Sequence, residues 1–215
     1  MEMLQQYLQK ILLYGPPILM ALTVHECAHA WAAYRFGDPT AKMLGRVTLN
    51  PLRHLDPLGT LVFFLSGMFG WAKPVPINPR NFRDVSRAIM WVSLAGPLSN
   101  LFLAGVFTLL YKVFLLFAPG LLMSAPGVFK PLFIMVELSI VLNVSLAVFN
   151  LIPIPPLDGS KVLSNILPAR NAFALARIEP YGFIILVLLI TTGVVDRVVS
   201  PLVYLMVGLL TGGIY

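Results

Sequence analysis

Apolar residues gather into long runs separated by short polar breaks. Ile11–Tyr34, Ile89–Phe117 and Val128–Leu151 are each long enough to cross a hydrocarbon layer of about 30 Å. Tyr181–Val195 and Val198–Ile214 are shorter, lie on either side of Asp196-Arg197, and read as an apolar hairpin within 178–215. The first run belongs to a helix expected over 4–36, with Pro16-Pro17 kinking or interrupting it and Gly37-Asp38-Pro39 as its stop.

The region from 37 to 88 follows a different pattern. Lys42–Pro51 alternates enough to predict a strand ending at Asn50-Pro51. Leu58–Gly70 is apolar but short and interrupted by Gly59 and Gly67, the pattern of a re-entrant segment. Lys73–Pro79 carries Pro74, Pro76 and Pro79, which forbid a helix and favour an extended segment at a sheet edge. After the spans expected over 89–117 and 128–152, a proline-rich loop over 150–160 leads to Asp158-Gly159, and Ser160–Leu167 reads as a short helix. The expected fold is an all-α membrane protein. It is a polytopic helix bundle with a small membrane-associated β segment and a re-entrant stretch, forming one domain over 1–215.

Composition agrees with this class. The 215 residues are 58% hydrophobic and 11% charged, with a mean hydropathy of +0.86. Soluble domains carry about 25% charged residues. The net charge of +6 is explained by membrane topology and does not require nucleic acid. Eight of the fifteen basic residues lie between Arg35 and Arg87. The positive-inside rule places that region in the cytoplasm. Alternating spans then bring His29 and Asp158 to the same side. The single Cys27 excludes an internal disulfide, and two positions past His25 it projects away from the histidine face as small apolar packing. The N-terminal ten residues have no cleavable-signal pattern.

Within the first apolar run stands His25-Glu26-Cys27-Ala28-His29. Residues four apart on a helix share a face, so both imidazoles can address one ion. Glu26 beside them is placed to accept a proton from an activated water. This is the H-E-x-x-H zinc pattern. Imidazoles and a carboxylate at membrane depth are costly and mark function by default.

Catalytic zinc takes three protein ligands and keeps one position open. Candidates for the third are His54, Asp56, Glu137 and Asp158, with Asp38, Asp84, Glu179 and Asp196 as outliers. Asp158 leads, because Pro153, Pro155 and Pro156 end the preceding helix and let an extended segment project a carboxylate. His54 follows, in a loop where a hydrogen-bonding role is the commoner one. Asp56 reads as a turn or cap residue beside Pro57. Glu137, mid-span, reads as a buried hydrogen-bonded acid or a cavity-lining group.

Four segments together carry a resemblance. They are His25–His29, Asn150–Gly159 (N-L-I-P-I-P-P-L-D-G), Ala95-Gly96-Pro97-Leu98-Ser99-Asn100, and Gly70–Pro79. Their order and spacing resemble the site-2 protease family of intramembrane zinc metalloproteases. The resemblance covers Val24–Lys161 and corresponds to a short form without a PDZ-like or nucleotide-sensing domain. It implies one zinc ion per chain held by His25, His29 and Asp158, with Glu26 as general base. It implies that Asn150 positions the substrate carbonyl or steadies the oxyanion. Asn100 matches a family position near the site, where a helix–helix hydrogen bond is the equal alternative. The Lys73–Pro79 segment is similar to an edge that pairs with an unwound substrate.

The implied function is cleavage of transmembrane segments of membrane proteins in the lipid bilayer. The implied location is a prokaryotic inner membrane, with the site facing the cytoplasm. A metal transporter would need polar groups stacked along successive spans, and a non-catalytic binding member would lack Glu26 or a ligand.

Overall fold

The computed structural model describes residues 2–66 and 70–213. Its long helices are α1 (Glu2–Arg35), α4 (Val85–Ser124), α5 (Pro126–Asn150) and α9 (Val194–Thr211). Shorter ones are α2 (Thr40–Met43), α3 (Pro57–Ser66), α6 (Asp158–Ile166), α7 (Ala169–Ile178) and α8 (Gly182–Thr191). Single 3-10 turns form at Pro51–Arg53, Pro79–Asn81 and Glu179–Tyr181. Among the described residues, five stretches are long and apolar enough to cross a membrane: 8–35, 85–117, 126–150, 169–191 and 194–211. The protein is a multi-pass, all-α membrane bundle.

Helix α1 continues through Pro16 and Pro17 instead of stopping at them. In a bilayer, neighbouring helices can re-satisfy the backbone groups that proline frees. α4 packs against both α1 and α5, and α9 packs against α5 and, more lightly, α4. Ala104, Phe107, Tyr111, Ile140, Val144 and Val207 form the main apolar core between α4, α5 and α9. A second cluster joins α1 to α4 through Ala32, Ala33, Ala88, Val92 and Phe82. Small residues on α1 let the helices approach closely, the usual device where lipid offers no hydrophobic gain for association.

The expected β segment over Lys42–Pro51 is not formed. Thr40–Met43 is helical, Gly45 turns the chain at φ +69°, and Pro51–Arg53 is a 3-10 turn capped by Asn50. The cause is local. The Asp38 carboxylate accepts from the Thr40 N–H at 3.1 Å and the Thr40 hydroxyl at 2.5 Å, which favours a helical turn over a strand. Among the described residues, extended pairing is limited to one antiparallel bridge between Leu55 and Ala72, continued by Lys73 N–H to the His54 carbonyl at 2.8 Å. The expected re-entrant stretch is also not seen as such. Pro57–Ser66 forms the ordinary ten-residue helix α3, and 67–69 lie outside the described residues.

Two buried charges fasten the extended segment after Ala72. Arg46 donates to the carbonyls of Lys73 (2.5 Å) and Pro74 (3.1 Å). Asp38 accepts from the Asn78 N–H and the Asn81 side-chain amide, both at 2.7 Å. Burial pushes the Asp38 carboxyl up, but bonds from Thr40, Asn81 and Asn78 outweigh it and hold the group below its ordinary range. Burial likewise lowers the proton affinity of Arg46, and Glu26, within electrostatic reach, opposes that.

Near the C-terminus the break between α8 and α9 falls at Gly193, φ +71°, and not at Asp196-Arg197, which lie inside α9. α7, absent from the sequence reading, precedes α8 across the Glu179-Pro180-Tyr181 turn.

Candidate metal centre

His25 and His29 project from one face of α1, as i and i+4 spacing requires. Their Nε2 atoms are 3.0 Å apart. Asp158, the first residue of α6, brings Oδ2 to 3.3 Å from His25 Nε2 and 3.1 Å from His29 Nε2. All three residues are buried.

Backbone constraints create this convergence. α5 ends at Asn150, and Pro153, Pro155 and Pro156 carry the chain as an irregular segment back to Asp158. A Cβ on Gly159 would collide with the Leu151 carbonyl, so the turn that presents Asp158 needs glycine there. On the opposite side, a Cβ on Gly96 of α4 would overlap the imidazoles of both His25 and His29. The glycine leaves space for the rings to sit edge to face, with centroids 4.6 Å apart.

The other ring nitrogens fix the tautomers. His29 Nδ1 lies 2.6 Å from the Val92 carbonyl, which can only accept. His25 Nδ1 lies 2.6 Å from Asn100 Oδ1. Both Nδ1 atoms therefore carry hydrogen, and both Nε2 lone pairs turn inward toward Asp158. Three lone-pair atoms facing one another in a buried space repel unless a cation or protons lie between them.

The donor set fits zinc. Ligand atoms about 2.0–2.1 Å from a tetrahedral ion stand roughly 3.3 Å from one another. The three separations here are 3.0, 3.1 and 3.3 Å. Two imidazoles and one carboxylate also leave the fourth position that catalytic zinc keeps open.

The remaining candidates lie elsewhere. Among the described residues, the group of His, Cys, Asp and Glu able to share an ion is His25, His29 and Asp158. Glu26 is half-buried on α1. Asn150 donates from Nδ2 to the Leu146 carbonyl of its own helix at 2.9 Å. His54 is buried with Nε2 2.8 Å from the Thr48 carbonyl. Asp56 accepts from the Gly59 N–H at 2.8 Å, capping α3. Cys27 is half-buried outside the cluster. Glu137 is half-buried on α5. Sequence reasoning missed Val92, whose contribution is a backbone carbonyl and leaves no residue-type signal.

Comparison with known proteins bears on the same residues. The model for Peptidase family M50 matches residues 122–192, the stretch that contains Asp158. "Putative zinc metalloprotease YwhC" of Bacillus subtilis is 41% identical over 188 residues, covering 86% of this chain and 83% of that protein. "Putative zinc metalloprotease Rip2" of Mycolicibacterium smegmatis is 35% identical over 191 residues, covering 86% of this chain and 69% of that one. A third, "Putative zinc metalloprotease MJ0611" of Methanocaldococcus jannaschii, is 44% identical over 72 residues, covering 34% of this chain and 31% of its own. No solved structure matches the chain significantly. The family match around Asp158, and a relative aligned along most of both chains, lead to one conclusion: the chain belongs to peptidase family M50, the site-2 protease family of zinc metalloproteases.

Proposed function

We propose that this metalloprotease cleaves transmembrane segments of other membrane proteins within the bilayer. The observation that carries the reading is the buried cluster formed by His25 and His29 of the first spanning helix and Asp158 of α6, with three lone-pair atoms 3.0 to 3.3 Å apart. His25, His29 and Asp158 would hold one zinc ion. Zinc supplies Lewis-acid activation of a water at such a site.

The chain's own groups have separable tasks. Glu26, one position from His25 on the same helix, accepts a proton from the attacking water and returns it to the leaving amine. Asn150 ends α5 at the start of the Asp158-bearing loop. Its Nδ2 donates one hydrogen to Leu146, and the second is suited to the substrate carbonyl or the oxyanion. A substrate helix must unwind locally to expose its carbonyl, because helical carbonyls are already bonded. The Lys73–Pro79 segment, held by Arg46 and Asp38, offers an extended edge to such a strand. The charge bias of the 35–87 region faces the site to the cytoplasm of a prokaryotic inner membrane. The whole of 1–215 acts as one protease domain.

The test is comparative proteomics of membrane protein fragments from cells carrying the wild-type protein or Glu26→Gln. The substitution should leave zinc bound and reduce cleavage by at least about 10²-fold, the usual scale of general-base catalysis. Proteolysis that survives Glu26→Gln removes Glu26 from its role. If a strain lacking the protein yields the same transmembrane-segment fragments as the wild type, the substrate class is wrong.

A further inference from the structure

The polar contacts around His25 do not stop at Asn100. Asn100 Nδ2 lies 3.1 Å from the Ala21 carbonyl of α1 and 2.8 Å from Asn143 Oδ1 of α5. Asn143 Nδ2 in turn donates to the Ser139 carbonyl at 2.8 Å. Both asparagines have 0% exposure, so water cannot substitute for a lost partner.

The direction of this chain is set at its ends. A backbone carbonyl only accepts, so Ser139 requires the NH2 of Asn143 and turns its oxygen toward Asn100. Ala21 and Asn143 then each accept one hydrogen from the NH2 of Asn100. The Asn100 oxygen is left for His25, and His25 must donate from Nδ1. If the Asn100 amide were rotated by half a turn, its oxygen would face two acceptors, Ala21 O and Asn143 Oδ1. Without Asn143 only the Ala21 carbonyl opposes that rotation. After it, Asn100 presents NH2 to His25, which favours the tautomer with its proton on Nε2, the nitrogen aimed at the metal position.

We propose that Asn143 is a positioning residue for the metal centre: acting through Asn100, it holds His25 in the tautomer whose Nε2 is free to bind zinc. The proposal rests on the reading of His25, His29 and Asp158 as the zinc ligands. It goes beyond it by assigning a role to a residue on a third helix that touches neither metal nor substrate. It also gives the two histidines unlike anchors: a backbone carbonyl for His29, and a side-chain relay spanning three helices for His25.

The experiment measures zinc affinity of the purified full chain by chelator competition, together with the visible spectrum of the cobalt(II)-substituted protein. Asn143→Leu removes the acceptor at similar volume, and Asn143→Ala is the gentler truncation should the leucine variant fail to fold. Affinity should fall by about 10-fold or more, within the range for groups that orient a ligand, and the cobalt spectrum should change. Asn143→Asp keeps an oxygen facing Asn100 and should restore most of the affinity.

A role confined to helix packing would instead lower the melting temperature of the zinc-free variants and leave affinity and spectrum at wild-type values. That result overturns the proposal, as does Asn143→Asp behaving like Asn143→Ala. Failure of the underlying reading looks different: the wild-type chain itself would bind no zinc, or would bind it undiminished after His25→Ala.

Discussion

Two regions satisfy their polar groups in opposite ways. In the C-terminal hairpin, α8 and α9, Thr191, Thr192 and Thr211 each donate to carbonyls of their own helix, and Ser200 donates to Asp196 one turn away. At the junction of α1, α4, α5 and α6, the polar groups reach across helices: His25 to Asn100, His29 to Val92, Asn100 to Asn143, and both histidines to Asp158. A hydroxyl bonded to its own backbone is neutralised locally and places no demand on its neighbours. A side chain bonded across helices fixes register and rotation, because in hydrocarbon nothing else can satisfy it. The hairpin also exposes Ile184, Leu188, Tyr204 and Leu209 to its surroundings, as a lipid-facing closure of the bundle does. The helices are thus tied by polar groups at the candidate site, and the hairpin adds apolar burial through Val203 and Val207.

Each variant below tests that division. The largest effect is expected from Asp158→Ala, which removes the carboxylate at the centre of the junction. Zinc content measured on purified protein should fall by about 100-fold or more in affinity, beyond the 10–100-fold range for groups that merely orient ligands. If zinc stays stoichiometric and His54→Ala loses it instead, the junction has been misplaced. Gly96→Val comes next. Its Cβ would overlap both imidazoles, so overpacking of about 1–3 kcal/mol is expected in thermal unfolding, with impaired zinc uptake. Normal zinc uptake by this variant would show that the two rings are not held against α4. Thr211→Val should do least. The hydroxyl it loses bonds Val207 of the same helix at 2.8 Å. A stability change within about 0.5 kcal/mol, with zinc affinity unchanged, is the expected result. A loss of zinc binding here would erase the distinction between the regions.

Legibility in the sequence followed the range of the interactions. The long helices were readable because apolar runs need only length and composition to declare themselves. The histidine pair was readable because i, i+4 spacing is a local property of one helix. Alternation over Lys42–Pro51 is weak evidence for a strand, and the Asp38 carboxylate wraps the turn that follows it instead. Arg170, Asn171 and Arg177 break the apolar run that would announce α7.

By itself, then, the sequence determined a membrane-spanning helical chain, a histidine pair with metal-ligand spacing on its first helix, and a proline-broken segment able to project Asp158. These are written in neighbouring residues and need no fold to be seen. The tertiary structure decided which carboxylate meets the pair, that Gly96 and Val92 shape its seat, and that Asn100 and Asn143 form a directed chain behind His25. Those contacts join residues far apart in sequence, and they exist only because α1, α4, α5 and α6 pack closely enough for buried polar groups to find one another.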